Sequence, residues 1–252
     1  MSSGDGRPAL AWEEPSAGLR PGSAALLLGG AVAGGLLAVA VGPGWWPGLA
    51  ESLLGSSPKA YWYLSRASGL VAYALLWISA VLGLALTSRA ARLWPGGPAA
   101  FDLHQFTGLL GLAISLFHTI VLLGDGYTGF TLLQILLPFA DTPYRPLWVG
   151  MGQVGLYLGL AVGLSFYVRQ RIGPRTWRLL HYGSFLVYWL VTVHGLAAGS
   201  DSGAPAILAL YWVTGAAAYF LVVYRLLVSA RPAPLGQPHA HRAAPPLAGG
   251  GR

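Results

Sequence analysis

Four histidines lie inside long stretches that carry almost no charge: His104 and His118 in one, His181 and His194 in another. An imidazole can bind a metal, carry a proton or make hydrogen bonds, and an ionisable ring in hydrocarbon is costly unless it serves such a role. Depth separates these roles. His104 follows Asp102 by two residues and His181 follows Arg178 by three, so both sit near a boundary. His118 comes 14 residues after His104, and His194 comes 13 after His181. At 1.5 Å rise per helical residue these separations are about 21 Å and about 19.5 Å. Only one apolar stretch intervenes, so both helices run in the same direction. His104 then faces His181 at one level, and His118 faces His194 at the other.

Two imidazole pairs about 20 Å apart suit two bis-histidine haems. Each ring would give one nitrogen to iron while the other donates to a helix carbonyl, expected four residues back. Gly108, Gly111, Gly183 and Gly195 lie nearby and could leave room for porphyrin faces or serve helix packing. Fourteen steps of 100° nearly return to the same helix face, but thirteen do not. The second helix is therefore expected to bend or bulge, or the two haems to be rotated relative to one another. Histidines that only form hydrogen bonds or relay protons have no reason to match in depth twice. His239 and His241, in the run H-A-H-R, read as solvated tail residues.

Holding four rings at two depths requires membrane-crossing helices, and composition supplies them. Hydrophobic residues make up 55% of the 252 and charged residues 9%, with mean hydropathy +0.58. A water-soluble surface usually needs about 25% charged residues. Ten Trp and twelve Tyr fit side chains at membrane interfaces. The absence of cysteine excludes disulfides, iron–sulfur clusters, thiolate-ligated haem and covalent attachment through C-x-x-C-H. The formal charge of +7 sits in short loops between apolar stretches, a topological pattern that gives no reason to expect nucleic acid.

A spanning helix needs about 20 apolar residues. Six uncharged stretches meet this, giving an all-α, polytopic membrane protein with helices near 23–42, 65–87, 103–123, 147–168, 177–197 and 205–228. The haems are expected between the third and fifth. Residues 126–140 are too short to span and read as an interfacial or re-entrant helix on the outer side. The transmembrane domain covers 21–228; residues 1–20 and 229–252, rich in Gly, Pro, Ala and Arg, are expected to be disordered cytoplasmic ends. No internal repeat stands out.

The first span resembles a leader peptide in its charged start, but its apolar run is long and no clean cleavage site follows, so a retained helix is expected. Its Gly30-x-x-x-Gly34 pair would allow a close helix approach. Arg89, Arg92, Arg169, Arg171, Arg175, Arg178, Arg225, Arg231, Arg242 and Arg252 fall on one side, against Lys59, Arg66 and Arg145 on the other. This bias puts both termini in the cytoplasm of a cell, or inner, membrane.

Over about 60–228 the pattern resembles the ferric-reductase-like transmembrane domain family. That family includes ferric reductases, NADPH oxidases and the haem-binding subunit of the periplasmic methionine-sulfoxide reductase system. The resemblance rests on Ser65-Arg66-Ala67-Ser68-Gly69, on Asp102-Leu103-His104 with His118, on Tyr144-Arg145-Pro146-Leu147-Trp148, and on Trp177-Arg178-x-x-His181 with His194. It implies two haem b groups, an inner one on His104 and His181 and an outer one on His118 and His194. Electrons would pass from a cytoplasmic-side donor to an acceptor on the outer face, such as ferric iron. The resemblance also places Arg66 beside the outer haem, where it could hold a propionate or attract an anionic acceptor. An arginine facing lipid headgroups is the plain alternative.

Two departures matter. The last span is followed only by Ser229 to Arg252, with no Gly-rich dinucleotide loop, so the donor is expected to be a separate reductase or quinol. Flavin or quinone near the cytoplasmic loops stays open. Where the oxidases carry a further histidine, one turn after the outer third-helix ligand, this chain has Leu122, which argues against superoxide production. The cluster Arg169, Arg171, Arg175 and Arg178 could dock an acidic reductase or pair with inner-haem propionates, though topology alone would place it there. Phe185, Tyr188 and Trp189 could pack on porphyrins or serve ordinary packing.

The expected function is thus an oxidoreductase component carrying electrons through the bilayer, in contact with lipid and with redox partners on either face. The alternatives are a membrane subunit of a specific periplasmic reductase and a non-redox transporter that uses its histidines as a proton relay.

Overall fold

The computed structural model describes residues 20–45, 59–88 and 96–229. Six helices there are long and apolar enough to cross a membrane. They are α1 (Pro21–Trp45), α2 (Ala60–Thr87), α3 (Gly97–Ile120), α5 (Pro146–Ile172), α6 (Pro174–Ala198) and α7 (Pro205–Ser229), with a short α4 (Leu132–Leu136) between α3 and α5. No strand occurs among the described residues. The all-α, six-span architecture read from the sequence is the one observed. The tails, with His239 and His241, and the loop carrying Arg89 and Arg92 lie outside the described residues.

Several helices begin earlier than charge alone suggests, because proline opens them. Pro146 and Pro174 stand at the first positions of α5 and α6, and Pro98 is in the first turn of α3. Proline's fixed φ suits a first turn, where its missing N–H is no loss. Gly173, at φ 81°, is both the last cap of α5 and the first cap of α6. This one-residue turn sets the two helices antiparallel, and the arginine cluster surrounds it. Beyond α3 the chain tightens into a 3-10 turn, Val121–Gly124.

The segment 126–140 departs from expectation. Only five of its residues are helical, started by a capping box in which Thr131 and Gln134 bond each other's backbone N–H. Its backbone is held in part by side chains of α5. Gln153 Nε2 donates to the carbonyls of Gln134 and Ile135, each at 2.7 Å, and Tyr157 OH donates to that of Leu136.

α2 packs along α3 and α5 along α6, while α3 touches α5 and α2 touches α6. α3 and α6 are not packed on one another. They therefore stand diagonally across a four-helix arrangement, with α1 against α3 and α7 against α2. Leu112 of α3 fits against Gly159 and Gly163 of α5, where added Cβ atoms would lie 3.0 and 2.8 Å from it. Gly30 and Gly34 have nothing within 4 Å, so the expected close approach is not there; Gly35 instead meets Ile120 and Phe117 of α3. Tyr61 of α2 secures α1 by donating to the carbonyls of Ala38 and Val39 at 2.9 and 3.2 Å.

Mid-bundle, three helices are joined by hydroxyls. Thr214 Oγ1 donates to the Leu210 carbonyl at 2.7 Å, so it accepts from Tyr73 OH at 2.7 Å. Tyr73 in turn accepts from Tyr188 OH at 3.2 Å, linking α7, α2 and α6. An interhelical hydrogen bond in a membrane is worth about 0.6 kcal/mol on average and at most about 1.7. Tyr73→Phe removes both links and should lower stability by roughly 1–2 kcal/mol, read as an earlier unfolding midpoint in a detergent titration; an unchanged midpoint would show the chain to be idle.

Candidate functional site

The diagonal gap between α3 and α6 holds the four histidines. The structure brings them together as the sequence pairs them. The rings of His104 and His181 have centroids 6.0 Å apart and an interplanar angle of 77°. Those of His118 and His194 are 6.2 Å apart, also at 77°. His118 and His194 form the level nearer α4, here called upper; His104 and His181 form the lower level, nearer the α5–α6 turn.

Three of the four rings are oriented from outside their own helix, which corrects the expected bond to a carbonyl four residues back. His118 Nδ1 donates to the Ser65 carbonyl and His104 Nδ1 to the Ser79 carbonyl, both at 2.7 Å. His194 Nδ1 donates to the Trp148 carbonyl of α5 at 2.8 Å. A ring that leans away from its own helix reaches its neighbour's carbonyl first. With Nδ1 protonated and engaged, Nε2 carries the free lone pair in these three. His181 has no hydrogen-bond partner among the described residues and instead stacks on Trp177, at 5.1 Å and 26°.

Glycine makes these contacts possible. Four residues after each anchoring carbonyl stands a glycine against the ring: Gly69 beside His118, Gly83 beside His104 and Gly152 beside His194. A Cβ there would lie 3.0, 3.1 and 2.5 Å from ring atoms. These residues and the two serines were not singled out by role from the sequence. The signal was present, however, since S-x-x-x-G occurs at 65–69 and again at 79–83, 14 residues on, the same interval as His104 to His118. It is a repeat in α2 that mirrors the histidine spacing of α3.

Gly108, Gly111, Gly183 and Gly195 take the second of their two expected roles, helix packing. Gly108 faces Ser79, Gly111 faces Leu76, Gly183 faces Val162 and Gly195 faces Tyr211, so all four admit neighbouring helices. No bulge interrupts α6, which is α-helical without a break from Pro174 to Ala198. Its two rings leave on different sides, His194 against α5 and His181 against Trp177, and side-chain direction absorbs the thirteen-residue offset. Phe185 and Trp189 are exposed, while Tyr188 stacks with Tyr73.

At the upper level a cavity of about 180 Å³ is lined from α2, α3, α4, α5, α6 and α7, His118 and His194 included. Leu122 lies on its wall. Arg66 is also on the wall and forms an ion pair with Asp201 in the α6–α7 loop, a partner the sequence did not suggest. On the same side, Tyr144 OH donates to the Ala198 carbonyl at 2.7 Å and Arg145 to that of Ala197. These bonds clamp the start of α5 to the end of α6. Arg145 takes a left-handed φ of 42° to do so, a conformation that surrounding contacts must impose. The clamp sets the register in which Trp148 meets His194.

No group of three or more His, Cys, Asp or Glu among the described residues could hold a bare metal ion. Two imidazoles across a gap can instead serve a metal whose other ligands come from a flat macrocycle. A coordinated imidazole nitrogen sits about 2.0 Å from a first-row metal, so two rings in line on opposite sides place their centroids about 6.3 Å apart. Both pairs fall within 0.3 Å of that spacing.

Selective ¹⁵N labelling of histidine should show His104, His118 and His194 protonated at Nδ1, and Gly152→Ala should disturb His194 most, since its added methyl meets the ring closest. Nε2-protonated rings in the unaltered chain would contradict the anchoring. No protein-family model, curated protein or solved structure matches this chain.

Proposed function

We propose that this chain carries electrons across a membrane through two b-type haems, one between His104 and His181 and one between His118 and His194. The supporting observation is the near-equality of the two ring pairs, 6.0 and 6.2 Å apart at the same 77°, across two helices that do not otherwise pack. The resemblance of the histidine motifs to ferric-reductase-like membrane domains points the same way.

Bound haem supplies reversible one-electron exchange at iron. The protein's part is to present four neutral imidazoles, fix three of them by Nδ1–H bonds and surround them with apolar helices. The competing reading, a proton relay, fits less well. Three ring N–H groups end on backbone carbonyls, which have no proton of their own to pass on.

The distribution of basic residues supports a cell-membrane orientation with both termini in the cytoplasm. The lower pair then faces the cytoplasm and takes electrons from a separate reductase or from quinol. The upper pair delivers them outside, to ferric iron or to a periplasmic partner such as a methionine-sulfoxide reductase. Trp177, stacked on His181 beside the arginine cluster, would stand on the entry side in this reading. Arg66 is already paired with Asp201, so an anionic acceptor or a propionate reaches it only in competition with that carboxylate.

Protein purified from haem-replete cells should show a Soret band and two haems per chain by pyridine haemochrome. His118→Ala or His194→Ala should remove one haem and leave the lower one; a colourless preparation, or both haems retained in either variant, would overturn the proposal. Were the two rings of each pair to hold an iron at the 77° observed between them, its dπ orbitals would lie close in energy. The oxidised protein should therefore give highly anisotropic low-spin EPR signals, and the rhombic signal of parallel rings would contradict the observed angles.

A further inference from the structure

We propose that Ser65 and Ser79 of α2 are positioning residues that tune the two haem sites separately, Ser65 the upper and Ser79 the lower; this rests on the two-haem reading above. The two serines make the same set of contacts at two depths. Ser65 Oγ donates to the His118 carbonyl at 3.1 Å, and Ser79 Oγ to the His104 carbonyl at 3.0 Å. The same hydroxyl oxygen lies 3.1 Å from Nδ1 in each case. The Nδ1 proton thus points between two oxygens of one residue, the backbone carbonyl at 2.7 Å and the hydroxyl. Gly69 and Gly83, four residues further along α2, lie against the same edge of each ring, nearest Nδ1 and Cε1.

Helix packing alone would need neither oxygen aimed at the ring. Two acceptors on one N–H draw its proton away from the imidazole, which raises electron donation through Nε2 and favours the oxidised metal. The α6 ligands lack this device. His194 is held by the Trp148 carbonyl alone, and His181 by no hydrogen bond among the described residues. Each site therefore has one serine-tuned ligand, always from α3. Fourteen residues, about 21 Å along a helix, separate the two serines, so each acts on one level only. Ser165 of α5 is the natural control, since its buried hydroxyl bonds the Val162 carbonyl of its own helix, which anchors no ring.

The test is a spectroelectrochemical titration of the full chain in nanodiscs, with haem counted by pyridine haemochrome. Ser65→Ala and Ser79→Ala should each keep two haems and raise the midpoint potential of one, while Ser165→Ala moves neither. In a His118→Ala background, which leaves the lower haem, Ser79→Ala should still shift the remaining potential and Ser65→Ala should not. Loss of only the corresponding haem in a serine variant also supports the assignment. Unchanged potentials in both serine variants, both potentials moving together in either, or an equal shift in Ser165→Ala would overturn it. A wild-type chain without haem would instead overturn the two-haem reading itself.

Discussion

A polar ring inside hydrocarbon has no water to bond, so every imidazole in this bundle must either find a protein partner or face a ligand. The Nδ1–H···O=C bonds from His104, His118 and His194 answer half of that demand. They leave the other nitrogen of each ring facing the gap with its lone pair free. An unsatisfied polar group in a membrane costs several kcal/mol, more than one interhelical bond returns. The arrangement of the helices is therefore bound to the needs of these rings.

Meeting those needs brings α2 and α5 close to the rings, and the close approach falls on glycines. Gly69, Gly83 and Gly152 sit where any side chain would strike an imidazole. Gly159 and Gly163 let Leu112 join α3 to α5, and Gly155 lets α5 lie close along α6 at Leu190 and Val191. The tyrosine–threonine chain at mid-depth and the Tyr144–Arg145 clamp then fix how α6 stands relative to its neighbours. Small residues supply the packing and hydroxyls the register, as expected where lipid removes the hydrophobic drive between helices.

The same geometry makes the two levels unequal. Both upper rings are anchored through Nδ1, and a cavity lined by five of the long helices and by α4 opens beside them, with the Arg66–Asp201 pair on its wall. At the lower level His104 is anchored but His181 rests on an indole in the second turn of α6, among exposed arginines. The upper rings are thus set deeper in protein than the lower ones.

The sequence by itself determined what depends on position along a helix axis. Uninterrupted apolar length set six spans, and the 14- and 13-residue intervals placed the rings at two matching depths, because rise per residue is nearly constant whatever the neighbours. Tertiary structure decided everything lateral. It chose Gly35 over Gly30 and Gly34 for the α1 contact, drew the histidine N–H groups to carbonyls of α2 and α5, paired Arg66 with Asp201, and shortened the 126–140 segment to a five-residue helix held by Gln153. The α2 repeat shows the boundary between the two. Its period is written in the sequence, but its meaning appears only when α2 lies antiparallel to α3 and carries Ser65 to His118 and Ser79 to His104. Depth is a local sum along one helix, whereas facing is a relation between helices, and only their packing fixes it.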